Sequence, residues 1–253
     1  MKKIILCWCL VILAVAGAAA QDFIVRGRIE YEVKVNMKRK LEEMRAEMGK
    51  DANIVFGGTI ADYSTTYRSL LFSGNQSYYG ADRQRDGQIA TDGPAVYMDL
   101  DKAETVCRRY LFMESMVIQD TLANIRWKIG NEIRTIAGFQ CRKAVGKIQD
   151  SIYVVAFYCP EIIPQSGPEL FTGLPGMILG LAIPRMYTTW FATKIQVAGI
   201  DETQLKKPTA KKGKTLSRQE LEEYMEKNYK KGGFFGEGGA RRLQEQAFGF
   251  VLQ

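Results

Sequence analysis

The sequence predicts a mainly β fold, an antiparallel sheet with an amphipathic helix in the N-terminal half and a second helix near the C-terminus. Three observations predict it. Residues Arg28 to Met37 alternate polar and apolar with period two, the pattern of a strand with one wet and one buried face. Short apolar and β-branched runs separated by turn residues then recur from Tyr63 to Ile133. Finally, Phe139 to Lys147 and Ile152 to Tyr158 read as two arms closed by a turn at Gln149-Asp150-Ser151.

The chain opens with Lys2 and Lys3, an apolar run from Ile4 to Ala16 and the small residues Gly17 to Ala20. This is the basic, apolar and small-residue order of an export signal, shorter than the roughly 20 apolar residues of a spanning helix. The expected mature chain is Gln21 to Gln253, destined for the periplasm, the outer-membrane surface or the exterior. Cys7 and Cys9 lie inside the apolar run and Gln21 follows the small residues, so no lipid-anchor cysteine is placed at the cleavage site. No later segment reads as membrane-spanning. Even Met177 to Ile183 is brief and ends at Pro184 and Arg185.

After the first strand, Met37, Leu41, Met44 and Met48 recur at helical spacing and mark an apolar helix face ending near Gly49. The rival reading of that stripe is a soft thioether site for copper(I). Tyr63 to Tyr67 and Leu70 to Phe72, broken by Ser73-Gly74-Asn75, suggest a hairpin, and polar residues 81–94 suggest a loop. Strands are expected at Ala95 to Leu100, Thr105 to Phe112, Met116 to Gln119 and Arg126 to Lys128, with another beginning near Ile133. A turn centred on Asp150 would bring Cys141 and Cys159 opposite each other. A cross-strand disulfide is then geometrically open to them, the alternative being two buried thiols. One or two more strands are read across Ile183 to Val197.

The organisation expected is an export signal at 1–20, a β-rich domain at 21–205, a basic linker at 206–214, a helix at 215–231 and a Gly/Phe-rich tail at 232–253. Ser217 and Glu220 form a capping-box pair at the start of that helix. Removing Lys2 and Lys3 takes the formal net charge from +7 to +5, and the excess is concentrated around Lys206 to Lys214 rather than along a face, which disfavours a nucleic-acid partner. That run reads as a solvated linker, with an anionic membrane surface as the lesser alternative.

Around residue 173 the chain reads Gly173-Leu174-Pro175-Gly176-Met177-Ile178, and this resembles the signature of the GLPGLI family of secreted bacterial proteins, with Met177 replacing the usual leucine. The stretches Ile136 to Ala144 and Val155 to Ile162, and Gly167, Pro168 and Phe171, follow in the family's order. Cys159 stands where the family has threonine and Phe157 where it has tryptophan. The family is similar to the bowl-shaped N-terminal domain of a bacterial peptide N-glycanase. The resemblance implies a curved antiparallel sheet, open or half-barrel, with a concave face, and it supplies no activity. Physically, Pro175 and Gly176 ask for a sharp turn before a buried strand from Met177, with the bend as the lip of a ligand groove as the functional alternative.

The chain contains no histidine, which removes Ser-His-Asp and Cys-His hydrolases and the usual catalytic zinc sites. Asp99, Asp101, Glu104, Glu114, Asp120 and Glu161 could in principle supply a carboxylate pair, but no spacing marks two as facing. Cys107 lies beside Arg108 and Arg109, which could lower its pKa and make it a reactive thiol, but on a strand its side chain points away from Arg108. Asn75-Gln76-Ser77 matches a glycosylation sequon by chance. The expectation is a non-catalytic exported binding or accessory module without cofactor or metal. Its partner would be an outer-membrane or secreted protein, a small apolar ligand such as lipid, or a glycan, met on the concave face or through the loop before Gly173. A carboxylate-dependent glycan hydrolase is the rival from another class.

Overall fold

The structure, a computed structural model, describes residues 23–48, 61–82, 93–111, 114–148, 152–210 and 213–229. The segment read as an export signal, the expected turn at 149–151, most of the expected loop at 81–94 and the Gly/Phe-rich residues 232–253 lie outside the described residues.

Among the described residues the fold is one twelve-stranded open curved sheet with two α-helices. Its strands are β1 (Arg26–Asn36), β2 (Tyr63–Ser73), β3 (Gln76–Ala81), β4 (Ala95–Asp99), β5 (Glu104–Leu111), β6 (Glu114–Thr121), β7 (Lys128–Ile136), β8 (Phe139–Ile148), β9 (Ile152–Cys159), β10 (Met177–Ile183), β11 (Thr188–Gln196) and β12 (Lys214–Ser217). The helices are α1 (Met37–Met48) and α2 (Arg218–Tyr229). The spatial order is β12-β6-β5-β4-β3-β2-β1-β11-β10-β9-β8-β7. Two antiparallel meanders, β2 to β6 and β7 to β11, therefore flank β1. It pairs β2 from Arg26 opposite Ser73 to Asn36 opposite Tyr63, and β11 from Arg28 opposite Gln196 to Val35 opposite Thr188.

The curvature follows from the connection between the meanders. β6 and β7 stand ten places apart in the sheet order, roughly 48 Å along a flat sheet at ~4.8 Å per strand. Only residues 122–127 join them, and that much chain reaches at most roughly 25 Å. The sheet must therefore roll until its two halves face each other. The residue pattern predicts a strand at Arg126 to Lys128 and a new one near Ile133. Instead one strand runs from Lys128 to Ile136, and the residues before it cross between the halves. Their anchors explain why: Ile125 is buried, and the Trp127 indole N–H donates to the Thr172 carbonyl at 2.9 Å.

The inner face carries the main core. Ile29 and Tyr31 of β1, Leu70 and Phe72 of β2, and Met98 of β4 join Leu181 of β10 there. The period-two pattern of β1 is observed as buried Ile29, Tyr31 and Val33 between less buried Arg28, Glu30 and Glu32. A smaller cluster on the other face unites Leu71, Tyr78, Tyr97, Val106 and Val117, covered by Ile200, Leu205 and Ala210.

The basic stretch read as a linker is in part attached to this outer face. Pro208 is buried, and Lys207 reaches both carboxylate oxygens of Glu104 at 2.7 Å. Lys214 to Ser217 then add a strand parallel to β6, so the helix begins at Arg218 rather than at 215. The capping box forms: the Ser217 backbone N–H donates to the Glu220 carboxylate at 2.7 Å, and the Glu220 N–H to the Ser217 hydroxyl at 3.3 Å. α1 follows β1 directly, with Asn36 accepting the Arg39 N–H at 3.0 Å as its N-cap. Among its described side chains Leu41 is buried, and the helix sits beside the start of β2. The side chains of Met44 and Met48 lie outside the described residues.

Candidate functional site

The loop from Pro160 to Gly176, between β9 and β10, fills the interior of the curved sheet. Ile162, Leu170, Phe171 and Leu174 enter the main core. Polar contacts fix the loop to strands of the opposite meander: the Ser77 and Ser166 hydroxyls lie 2.8 Å apart, and Arg109 Nη2 sits 2.6 Å from the Glu169 carboxylate. Glu169 takes a φ of 56°, a left-handed conformation that non-glycine residues seldom adopt, and the ion pair with Arg109 holds it there. On the other side the Ile178 N–H donates to the Ser166 carbonyl at 2.8 Å, and the Tyr31 hydroxyl donates to the Ile178 carbonyl at 2.6 Å.

Within the motif, Leu174, Gly176, Met177 and Ile178 are buried while Gly173 and Pro175 are exposed. Gly176, at a φ of 140°, lies where an added Cβ would run into the Cys159 carbonyl and the Cα of Pro160. Gly173, at a φ of 86°, passes the Trp127 indole. The motif thus makes a bend that delivers β10 into the core and stacks the chain against the end of β9. It offers no acid, base or nucleophile.

Two adjoining surface clefts lie elsewhere, where β1 meets α1 and β10 turns into β11. One, of about 370 Å³, is bounded by Lys34, Asn36, Tyr63, Pro184, Tyr187 and Thr189. The other, of about 510 Å³, is bounded by Asn36, Lys38, Arg39, Glu42, Asp62 and Tyr63. Asn36 and Tyr63 belong to both. The first wall is shaped by the short 3-10 turn Pro184–Met186, closed by Tyr187 in a left-handed conformation with φ 53°. The Asn36 N–H donates to the Tyr187 carbonyl at 2.9 Å, and the Asn36 amide reaches the Tyr63 hydroxyl at 3.4 Å. Tyr63 is 61% exposed. Neither cleft contains a residue of the 173–178 motif.

The carboxylates singled out in the sequence are dispersed. Asp101 accepts from Asn75, Glu104 from Lys207, Glu114 from Tyr224, and Asp120 from Arg218 and the Thr121 N–H. Asp99 is buried, which by itself raises its carboxyl. The Lys102 ammonium at 2.9 Å, the Lys102 N–H at 3.1 Å and the Gln76 amide at 3.2 Å outweigh burial and hold it below its ordinary value. A folded-state pKa below the unfolded one adds stability that is present above about pH 4 and is lost as pH falls through the folded value. Urea midpoints measured at pH 7 and pH 3 should therefore drop less for Asp99→Asn than for the parent chain.

Cys107 is not an activated thiol. It is buried, and burial pushes it up to about 12 despite the opposing Arg109 charge. Arg108 alternates to the other face, where its Nε donates to the Gly93 carbonyl at 2.8 Å. Cys141 and Cys159 are buried and free, and the Cys141 thiol donates to the Phe139 carbonyl at 3.6 Å. No group of metal-ligating side chains occurs among the described residues. No helix among them is long and apolar enough to cross a membrane.

A family model described as "Protein of unknown function (Porph_ging)" matches residues 146–180, which run from the end of β8 through the motif into β10. Comparison with curated proteins gives no match. Among solved structures, PNGF-II in its C2 crystal form aligns with a TM-score of 0.52 at 12% identity, over 81% of this chain and 33% of that chain. Its P21 form gives 0.53 at 12%, over 78% and 32%. This chain therefore spans about a third of the length of PNGF-II, and the likeness is one of fold. An uncharacterized conserved protein from Thermus thermophilus aligns with a TM-score of 0.36 at 9% identity, over 76% of this chain and 90% of that one.

Proposed function

We propose that this chain is a non-catalytic, exported binding or accessory module of the bacterial envelope, and that it engages an outer-membrane or secreted protein at the clefts around Asn36, Tyr63 and Tyr187. The observation that carries this reading is the filled interior: Leu170, Phe171 and Leu174 occupy the concave face, which leaves recognition to the rim. There, Tyr63 presents an exposed ring on a rigid strand, flanked by Tyr187 and hydrogen-bonding groups, the mixture that suits a recognition anchor. The basic and apolar segments at Lys2 to Ala16 support export. A carrier of lipid would need the space that the 160–176 loop takes up.

The test places a photo-crosslinking residue at position 63, and in a second chain at position 175, with both expressed in a Gram-negative envelope. Capture of one outer-membrane or secreted protein from position 63, and its reduction at least tenfold by Tyr187→Ala, would support the reading. Capture only from position 175 would move the site to the motif, and no capture from either would remove the partner. Tyr63→Ala itself should change stability by less than about 1 kcal/mol, because the side chain is mostly exposed.

One observation favours the hydrolase as a second reading: Glu42 and Asp62 line the same polar cleft. Turnover of a glycan panel by the parent chain, abolished in Glu42→Gln or Asp62→Asn, would replace the binding module with an enzyme.

A further inference from the structure

β8 and β9 pair in one register, with Arg142 opposite Tyr158, Lys143 opposite Phe157 and so on to Ile148 opposite Ile152. The next pair in that register is Cys141 opposite Cys159. Residues directly opposite in an antiparallel pair hold their Cβ atoms about 4.5–5.5 Å apart, within a small adjustment of the roughly 3.5–4.5 Å that a disulfide needs. The two sulfurs are close enough for each to shift the other's proton affinity, Cys141 up and Cys159 down, while the Cys141 thiol donates to the Phe139 carbonyl at 3.6 Å. Both are fully buried. We infer that Cys141 and Cys159 are joined by a cross-strand disulfide when the chain folds in contact with a disulfide-bearing oxidant, such as a thiol-disulfide oxidoreductase or oxidised glutathione.

One of the two cysteines loses its proton, and its thiolate attacks one sulfur of the oxidant's disulfide, releasing the other as a thiol. The second cysteine, losing its proton in turn, attacks the protein sulfur of the mixed disulfide and releases the oxidant's second thiol. The Cys141–Cys159 bond forms as the oxidant's S–S bond breaks. Two protons and two electrons pass from the cysteines to the oxidant. Because both sulfurs are enclosed in the folded chain, the exchange takes place while the β8–β9 hairpin is still uncovered. Cys107, on β5 in the other meander, stays outside the reaction.

The inference is independent of the proposed partner. The full chain is refolded with a mixture of oxidised and reduced glutathione, denatured, alkylated without reductant and mapped by peptide mass. The expected result is label on Cys107, with Cys141 and Cys159 recovered as one linked peptide pair that takes label only after reduction. Cys107→Ser should leave the link intact. The oxidised parent should lose roughly 5–10 °C of Tm on reduction, while Cys141→Ser should not respond. Label on Cys141 and Cys159 before reduction, or a link that runs through Cys107, would overturn the inference.

Discussion

Gly176→Ala should unfold the domain or cost roughly 3–5 kcal/mol, a large effect for a single methyl group. The methyl would be directed at the Cys159 carbonyl and the Cα of Pro160, which are backbone atoms with no rotamer to move aside. The φ of 140° adds a second penalty, since side-chain-bearing residues rarely adopt it. Relief would require β10 to separate from β9 where Met177 pairs with Cys159. That would also loosen Ile178, which holds both Ser166 and Tyr31. Urea unfolding followed by tryptophan fluorescence measures the loss. Gly138→Ala is the matched control: it carries a positive φ of 88° but has open space around the new methyl, so its cost should be about 1 kcal/mol. Equal effects at the two positions would mean that dihedral strain rather than the backbone clash is responsible.

Arg109→Ala should cost about 2–3 kcal/mol, more than an exposed ion pair contributes. The two side chains are only 16% and 14% exposed, so removing the guanidinium leaves the Glu169 carboxylate largely shielded from water and without this partner. Glu169 also sits at a left-handed φ that the ion pair helps maintain, so the loop would shift as well as lose charge complementarity. Adding Glu169→Gln to Arg109→Ala should recover part of the loss, because a neutral amide costs less to bury than an unpaired charge. A double-mutant cycle on urea midpoints gives the coupling directly. Additive effects would show that the pair contributes packing alone.

Which parts of this fold are legible in sequence depends on how far apart the partners lie. The alternation of Arg28 to Met37 shows β1 and its buried face because period two is a local property. The symmetry of Cys141 and Cys159 about Asp150 anticipates the register of β8 on β9, since a hairpin constrains both arms through one turn. The second partner of β1 is not legible, because nothing in residues 26–36 specifies β11 across the length of the chain. Trp127 has β propensity and lies two residues after buried Ile125, so the segment reads as a strand. Its indole is instead tied to Thr172, a long-range bond that overrides local preference. Lys214 to Ser217 reads as linker and helix start because Lys214 and Thr215 carry no apolar pattern. The strand there is specified by the free edge of β6.

The candidate site is less legible than the fold. The GLPG motif stands out by composition, and it proves to be a structural bend. Asn36, Tyr63 and Tyr187 are unremarkable in sequence, each near the end of a predicted strand or beside a proline break. Only the register of β1 against both β2 and β11 brings them to one rim.

The central position of β1 has a consequence for when this chain can finish folding. The Thr193 hydroxyl reaches the Glu30 carbonyl across 163 residues, and this contact belongs to a ladder that cannot begin until β11 exists. As the chain is made from its N-terminus, β1 emerges first and must wait, paired on one side at most, for the residues up to Gln196 to follow. Each meander can assemble by nearest-neighbour hairpins, but joining them is a late, high-contact-order step. Until β11 arrives, the central strand therefore keeps one open edge.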